Sequence, residues 1–259
     1  MKSFKRRHLI QPVLVIKSIK VGENHRLVTL FSKEIGVFRA MAYGAGKATS
    51  LLKPATIPFA DIVAYLYYNP AKESFRITDV EIVNLHPCIR SNLAKFFTAS
   101  LWVEIGLISH GGGTDLLRMH NLLIRAIRVL DKISSEKVEI LSIQILWRLL
   151  LILGMYPDFS ICYNCRAEIK LQDDLFLSIY SGVWCIKCIK NQSENLSVGM
   201  VKLNYNFRNI LVMSERSNFL NTLEFDGVVV KDLRRLLQQL IQQYLGAPLK
   251  SIKCAAGFL

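Results

Sequence analysis

The strongest constraint on the fold of this chain is a change of hydrophobic period at Leu85-His86-Pro87. Before it, apolar residues alternate or run in short stretches bounded by turn residues; after it, they recur every three or four positions. The early runs cover residues 13–21, 25–33, 37–43, 57–68 and 75–82, with turn chemistry at Gly22-Glu23-Asn24, Glu34-Ile35-Gly36 and Asn69-Pro70. Five short strands so closely spaced predict a small barrel. In the third run Phe38, Ala40 and Ala42 share one face and Val37, Arg39, Met41 and Tyr43 the other, so one face is core. In the fourth, Ala60, Ile62, Ala64 and Leu66 alternate with Phe59, Asp61, Val63, Tyr65 and Tyr67. Both of its faces are substantially apolar, and the second is expected to lie against another layer.

Residues 91–109, 114–133 and 135–155 read as helices, with Thr114 and Ser134 or Ser135 as caps and Gly111-Gly112-Gly113 as a break. Residues 159–190 keep neither period. Helical spacing returns over 197–215 and 231–245, the latter ended by Gly246 and Pro248. The expected class is α+β: an OB-fold β-barrel over residues 1–83, a helical domain in two parts, 84–158 and 191–259, and a four-cysteine zinc-ribbon module inserted at 159–190.

That module rests on Cys162-x-x-Cys165 and Cys185-x-x-Cys188, two pairs with nineteen residues between them. A two-residue gap lets two thiolates converge on one ion, and two such turns complete a tetrahedron. Four thiolates leave no open position, so one structural zinc is expected rather than a catalytic one. Ser181-Gly182 suits the hairpin a ribbon needs. A dithiol redox pair belongs at a strand-to-helix junction of an α/β fold, which this pattern is not. Cys88 and Cys254 have no partners at metal spacing and are expected to be packing residues.

The formal charge of +13 predicts attraction to polyanions. Residues 1–53 carry seven Lys and four Arg against Glu23 and Glu34, a formal +9 in the first fifth of the chain. An OB-fold holds single strands on its second and third strands and flanking loops. The candidate phosphate contacts are Arg6 and Arg7 on the leading arm, Lys17 and Lys20 on the first strand, Arg26 on the second, Arg39 on the third, and Lys47 and Lys53 on the loop beyond, with Tyr43 as a stacking ring.

The basic start of the chain imitates a signal peptide, but its apolar stretch is broken by Gln11-Pro12, ends at Lys17 and has no small-residue cleavage site. Residues 149–153 are apolar but flanked by Arg148 and Tyr156-Pro157-Asp158, too short a run to span a bilayer. A cytoplasmic, reducing setting is expected, with no membrane partner. No enzyme motif is complete. Gly44-Ala45-Gly46-Lys47 is followed by Ala48 where a P-loop has Ser or Thr, and His110-Gly111-Gly112-Gly113 has no Gly-x-Ser-x-Gly elbow to serve. None of the five His has Glu two residues on, as a zinc deaminase requires.

The chain resembles the RecO recombination mediators of bacterial DNA repair. The resemblance is carried by Val21-Gly22-Glu23, Leu27-Val28-Thr29-Leu30-Phe31, Gly36, Gly44-Ala45 leading to Ser50, Tyr156-Pro157 before the first cysteine pair, Ser181-Gly182 before the second, and Leu245-Gly246-Ala247-Pro248-Leu249-Lys250-Ser251. It implies a nucleoid-associated protein without catalytic turnover that binds single- and double-stranded DNA and anneals complementary strands. It also implies work with RecR and single-strand-binding protein, whose acidic C-terminal tail would dock on the helical domain, in RecF-pathway recombination. An OB-fold with a zinc ribbon also suits RNA metabolism or transcription, since charge alone does not choose DNA over RNA.

Overall fold

The structure, a computed structural model, describes residues 7–113, 115–170, 172–179, 181–191, 200–203, 208, 211 and 227–255. It divides into two compact units, Met1–Ile133 with Lys250–Leu259, and Ser134–Leu249.

In the first unit β1 (His8–Val21), β2 (His25–Ser32), β3 (Gly36–Ala42), β4 (Asp61–Asn69) and β5 (Ser74–Asn84) close into a barrel of order β1-β2-β3-β5-β4. The first strand serves two neighbours: its early residues pair with β4 and those from Val13 onward with β2. A register shift between Val15 and Lys17 bends it round the corner. Pro12, which lacks an N–H, stands opposite Val63 of β4, just before the β2 ladder begins at Val13. The barrel closes where β3 meets β5 in parallel through Ala40–Phe75 and Met41–Arg76.

Alternation places Val28, Leu30, Phe38, Ala40, Ala42, Ile62, Ala64 and Leu66 in the barrel core, as the third and fourth runs predict. Among the described residues the second face of β4 is covered most fully at its start. Phe59 meets Phe96 of α3 (Leu93–Ile108) edge-on, 5.5 Å between centroids, and buried Asp61 accepts two hydrogen bonds from Arg128 of α4 (Leu116–Lys132). Val63, Tyr65 and Tyr67 are half-buried. The fourth strand begins at Asp61 and not at residue 57: Leu52–Ala55 make one helical turn, and Phe59, at φ 71°, leaves the β conformation. Its N–H donates to Val15 O (2.8 Å) and Val15 N–H to Ala60 O (2.9 Å), so this turn pairs with the irregular part of β1. Replacing Arg128 with Ala strands the Asp61 carboxylate in the barrel wall, and a loss of about 3 kcal/mol in denaturant unfolding is expected.

Asn92 caps α3 by accepting from Lys95 N (3.0 Å), and Asp115 caps α4 by accepting from Arg118 N (3.2 Å); the expected cap Thr114 lies outside the described residues. Gly111, Gly112 and Gly113 all have positive φ and break the helices as expected. A Cβ on Gly111 would come within 2.8 Å of the Phe31 ring, so close packing also demands glycine there.

Near the end of α4, Asp131 gathers buried polar groups. Its carboxylate accepts from Ile89 N (3.2 Å), its carbonyl from Lys95 Nζ (3.1 Å), and His86 Nδ1 lies 3.8 Å away. Burial pushes His86 below the ordinary histidine range, outweighing Asp131, and does the same to His120, which meets the Phe31 ring edge-on. The folded chain holds both imidazoles neutral, and the unfolded chain protonates them more readily. Unfolding free energy should therefore fall as pH drops below about 6.5, with a slope approaching 1.4 kcal/mol per pH unit for each imidazole. Denaturant titrations from pH 7 to 5 test this: combining His86→Asn with His120→Gln should flatten the profile, and an unchanged slope would refute it.

In the second unit a 3-10 turn, Ser135–Lys137, leads into α5 (Val138–Ile152), which packs against α7 (Gly227–Leu245). Ser134 makes no side-chain cap bond, because that turn separates its hydroxyl from the helix start. Between the helices β7 (Gly182–Cys185), β6 (Leu175–Ser178) and β8 (Met200–Leu203) form an antiparallel sheet in that order, and α6 (Ile186–Lys190) follows β7. The helix expected over 197–215 is corrected at residues 200–203, where pairing with β6 overrides helical spacing. Arg208 and Leu211 are helical, and the rest of that stretch lies outside the described residues. Trp147 of α5 stacks on Phe159 at 5.2 Å, and buried Arg208 donates to Phe159 O (3.0 Å) and Ile169 O (3.3 Å), fixing the approach to the first cysteine pair.

Returning to the first unit, Glu104 of α3 caps α8 (Lys250–Cys254) by accepting from the N–H groups of Lys250 (2.9 Å) and Ser251 (2.8 Å). Cys88 and Cys254 are exposed, not packed: Cys88 lies on the outer side of the short helix α2 (Pro87–Arg90) and Cys254 at the end of α8, and their neighbours Ile89 and Ala255 are buried instead. No helix of the described residues is long and apolar enough to cross a membrane.

Candidate metal centre and nucleic-acid interface

Sequence spacing predicted convergence of the four cysteines, and the fold brings them together. The Sγ atoms of Cys162, Cys165, Cys185 and Cys188 all lie within 4.8 Å of one another, and those of Cys165 and Cys185 are 3.8 Å apart. A tetrahedron with metal–sulfur bonds of about 2.3 Å has edges of about 3.8 Å, whereas a disulfide requires about 2.05 Å, so the cluster fits one metal ion.

Each pair is shaped by its backbone. The first forms a knuckle in which Arg166 N–H returns to Cys162 O (3.0 Å), with Arg166 at φ 59°. Cys162 N–H donates to Ala167 O (2.9 Å), while Tyr163 N–H reaches across to Val183 O of β7 (2.7 Å) and aligns the two halves. The second pair runs from the end of β7 into α6. Gly182, at φ 77°, opens β7 as the hairpin reading requires, and Ser181 Oγ accepts from Trp184 Nε1 (2.7 Å).

Burial is uneven: Cys162 and Cys188 are buried, Cys185 is half-buried and Cys165 is exposed. Cys185 N–H donates to Cys162 Sγ (3.4 Å) and Asn164 Nδ2 to Cys188 Sγ (3.4 Å). Burial opposes ionisation of Cys162, but the N–H groups of Cys165, Cys185 and Asn164 outweigh it and bring the thiol down to about 6. At Cys188 the Asn164 hydrogen bond favours the thiolate, yet burial and the three neighbouring thiols push it up to about 12. Burial and the neighbouring sulfurs thus oppose a thiolate at Cys188, and a cation among the four sulfurs would offset them. Asn164 was not singled out from sequence; only the fold reveals that a residue inside the first pair serves a sulfur of the second.

The basic candidates separate into groups. Residues directly opposite on neighbouring strands share a face, and Lys17, Thr29 and Arg39 stand in one row across β1, β2 and β3 on the outer wall. Lys17 and Arg39 are exposed, flanking buried Thr29. The next row holds Ile19, Leu27 and Met41, and beyond it Tyr43, 53% exposed, meets His25 edge-on at 5.2 Å. His25 Nδ1 accepts the Gly44 N–H (3.0 Å), which steadies the start of the loop after β3. Gly46 N–H donates to Asn24 O (3.0 Å) and seats that loop, with exposed Lys47, on the β1–β2 turn.

Lys20 and Arg26 face each other across β1 and β2 but belong to the alternate phase, in line with core residue Ala42. They stand apart from the Lys17–Arg39 row, and Arg26 is half-buried. Lys53 is exposed on the short α1 (Leu52–Ala55). Arg7 lies at the start of β1, where its carbonyl accepts the Tyr68 N–H (2.7 Å), and Arg6 lies outside the described residues. One cation was missed: Arg76 of β5 is opposite Met41 and sits over the Tyr67 ring at 5.3 Å, extending the wall toward β4. Alternation on the fifth run places it outward, but its neighbours Asp79 and Glu81 mask it in a count of charge.

Two family models match the chain, Recombination protein O N terminal over residues 7–86 and Recombination protein O C terminal over residues 93–253. The chain is 25% identical to the DNA repair protein RecO of Exiguobacterium sp. over 92% of its own length and 91% of that protein's. It is 24% identical to that of Thermoanaerobacter sp., over 95% and 96% of the two chains. With the RecO of Heliobacterium modesticaldum it shares 31% identity over 66% of this chain and 58% of the relative. The barrel, the helical region and the four-cysteine cluster thus occur in a chain that belongs to the RecO family of DNA repair proteins.

Proposed function

We propose that this protein binds single- and double-stranded DNA, anneals complementary strands and acts as a recombination mediator with RecR and single-strand-binding protein in the RecF pathway, as a bacterial cytoplasmic, nucleoid-associated protein without catalytic turnover. The observation that carries this reading is the outer wall of the barrel, where Lys17 and Arg39 lie in one row and exposed Tyr43 stands two rows further along. Two DNA strands repel through their phosphates. A wall that neutralises phosphates and offers an aromatic face to an unpaired base holds a strand ready for its complement without bond chemistry.

The four thiolates would hold one structural zinc, the ion that tetrahedral sulfur sites favour. When bound, zinc supplies the positive charge that allows all four cysteines to ionise together; Cys162 and Cys188 hold it from the buried side, Cys165 and Cys185 from the open side. For the acidic tail of single-strand-binding protein, support comes from an apolar groove of about 440 Å³ in the second unit, lined by Met200, Val201 and Leu236, whose cations Lys202 and Arg235 lie 2.8 Å from Asp174 and 4.0 Å from Asp232 and would exchange those carboxylates for the tail's.

Annealing of complementary oligonucleotides coated with single-strand-binding protein tests this reading. The protein should accelerate duplex formation at least about tenfold at low salt, and less as salt rises. Failure to accelerate would contradict the mediator reading, and a preference for matched RNA over DNA strands in competition would move the protein to RNA metabolism instead.

A further inference from the structure

The four cysteines are chemically unequal, and their inequality marks a reactive edge. Cys165 is exposed and Cys185 half-buried, with sulfurs 3.8 Å apart on opposite pairs. Cys162 and Cys188 are buried, and the hydrogen bonds from Cys185 N–H and Asn164 Nδ2 fall on their sulfurs. Burial denies those two sulfurs to solvent and to a dissolved oxidant.

We propose that Cys165 and Cys185 form a peroxide-reactive modification site, oxidised to a disulfide that opens the metal centre while Cys162 and Cys188 stay reduced. This rests on the zinc-thiolate reading only for its consequence, loss of metal; the reactivity itself rests on exposure and sulfur separation.

The chemistry balances with a hydroperoxide as oxidant. The Cys165 thiolate attacks one oxygen of hydrogen peroxide, the O–O bond breaks, and sulfenic acid and hydroxide result. The Cys185 thiolate then attacks the Cys165 sulfur, the S–O bond breaks, and a second hydroxide leaves. Two sulfurs together lose two electrons and the peroxide gains them. The sulfurs must close from 3.8 Å to about 2.05 Å. With two ligands gone, the remaining thiolates of Cys162 and Cys188 take up protons and the metal dication leaves to water.

The test uses full-length protein carrying Cys88→Ser and Cys254→Ser, which removes the two exposed cysteines outside the cluster. Its metal content is measured first. Hydrogen peroxide is then added, with dimedone to trap sulfenic acid in one arm and none in the other, and each cysteine is read by peptide mass spectrometry. The proposal expects dimedone on Cys165 at least about tenfold above Cys162 and Cys188, a Cys165–Cys185 disulfide in the untrapped arm, and one metal released per disulfide. Adducts spread evenly over the four cysteines, a first disulfide within either pair or between Cys162 and Cys188, or metal lost without the Cys165–Cys185 bond would overturn it. Protein that starts without metal yet forms the same disulfide first would reject the zinc reading and keep the assignment of the reactive pair.

Discussion

On the zinc reading proposed above, replacing Cys188 with Ser is expected to reduce bound metal from one ion per chain to less than about a tenth, and to loosen the small β-sheet beside it. Strands of four residues do not stand by themselves. Leu175, Leu177, Val183, Trp184 and Leu203 are its buried apolar side chains, a small core for a module that must also hold four sulfurs in place. Structural zinc contributes about 10–16 kcal/mol in isolated finger peptides, comparable to the roughly 8–15 kcal/mol that burying five such side chains supplies before the cost of ordering the chain, so removing the metal takes away a large share of what holds the module. Amide exchange in β6, β7 and β8 should accelerate by about a hundredfold or more in the variant, and equally in wild-type protein after chelation. Acid should act in the same direction, because protons compete with the metal for thiolates and Cys188, pushed up to about 12 without a cation, takes its proton back readily. Exchange that stays unchanged after the metal has gone would show that the sheet holds itself.

The second large effect belongs to the barrel. Combining Lys17→Glu with Arg39→Glu is expected to weaken oligonucleotide binding by about two orders of magnitude near 50 mM salt, as two phosphate contacts become repulsions. Both side chains are exposed, on a row whose middle residue, Thr29, is buried, so the fold should tolerate the change. Reversing Lys20 alone should do less, since it belongs to the other phase of its strand. Tyr43→Ala gives a complementary readout. Loss of a stacking ring should cost about 1–3 kcal/mol on single strands and little on duplex, because paired bases offer no free face. Equal losses on both would mean that Tyr43 shapes the loop rather than stacking.

Much of this was legible before any coordinates, for identifiable reasons. Period-two alternation is imposed by a core on one side of a strand, so Phe38, Ala40 and Ala42 announce their burial. Cysteine pairs announce themselves because two residues between thiols suit one ion. The start of β4 was not legible: Ile57, Phe59 and Ala60 look like strand, but Phe59 adopts positive φ where it meets the irregular part of β1, and that pairing is long-range. Nor was β8, whose four residues gain strand geometry from β6 rather than from their own preference. The exposure of Cys88 and Cys254 was hidden for a similar reason, as only packing decides which side of a short helix faces in.

Charge was the least legible feature. A formal +9 in the leading segment is a sum, and the barrel divides it: Lys17 and Arg39 share a row, Lys20 and Arg26 take the alternate phase, and Arg7 sits at the other end of β1. Register decides which cations act together. Periodicity predicts register only within a strand, whereas the Lys17–Thr29–Arg39 row depends on the shift at Val15/Lys17. That shift makes the row, and Arg76 joins the same wall only through the short β3–β5 contact.

The central claim is that this row neutralises DNA phosphates, and the dependence of affinity on salt tests it most directly. Binding of a single-stranded oligonucleotide should be measured from 50 to 200 mM salt for wild-type protein and for the variant combining Lys17→Gln with Arg39→Gln. Loss of two phosphate contacts should make the slope of log affinity against log salt shallower by about 1.4, with circular dichroism unchanged. Parallel lines, displaced or not, would place the phosphate contacts elsewhere and contradict the assignment.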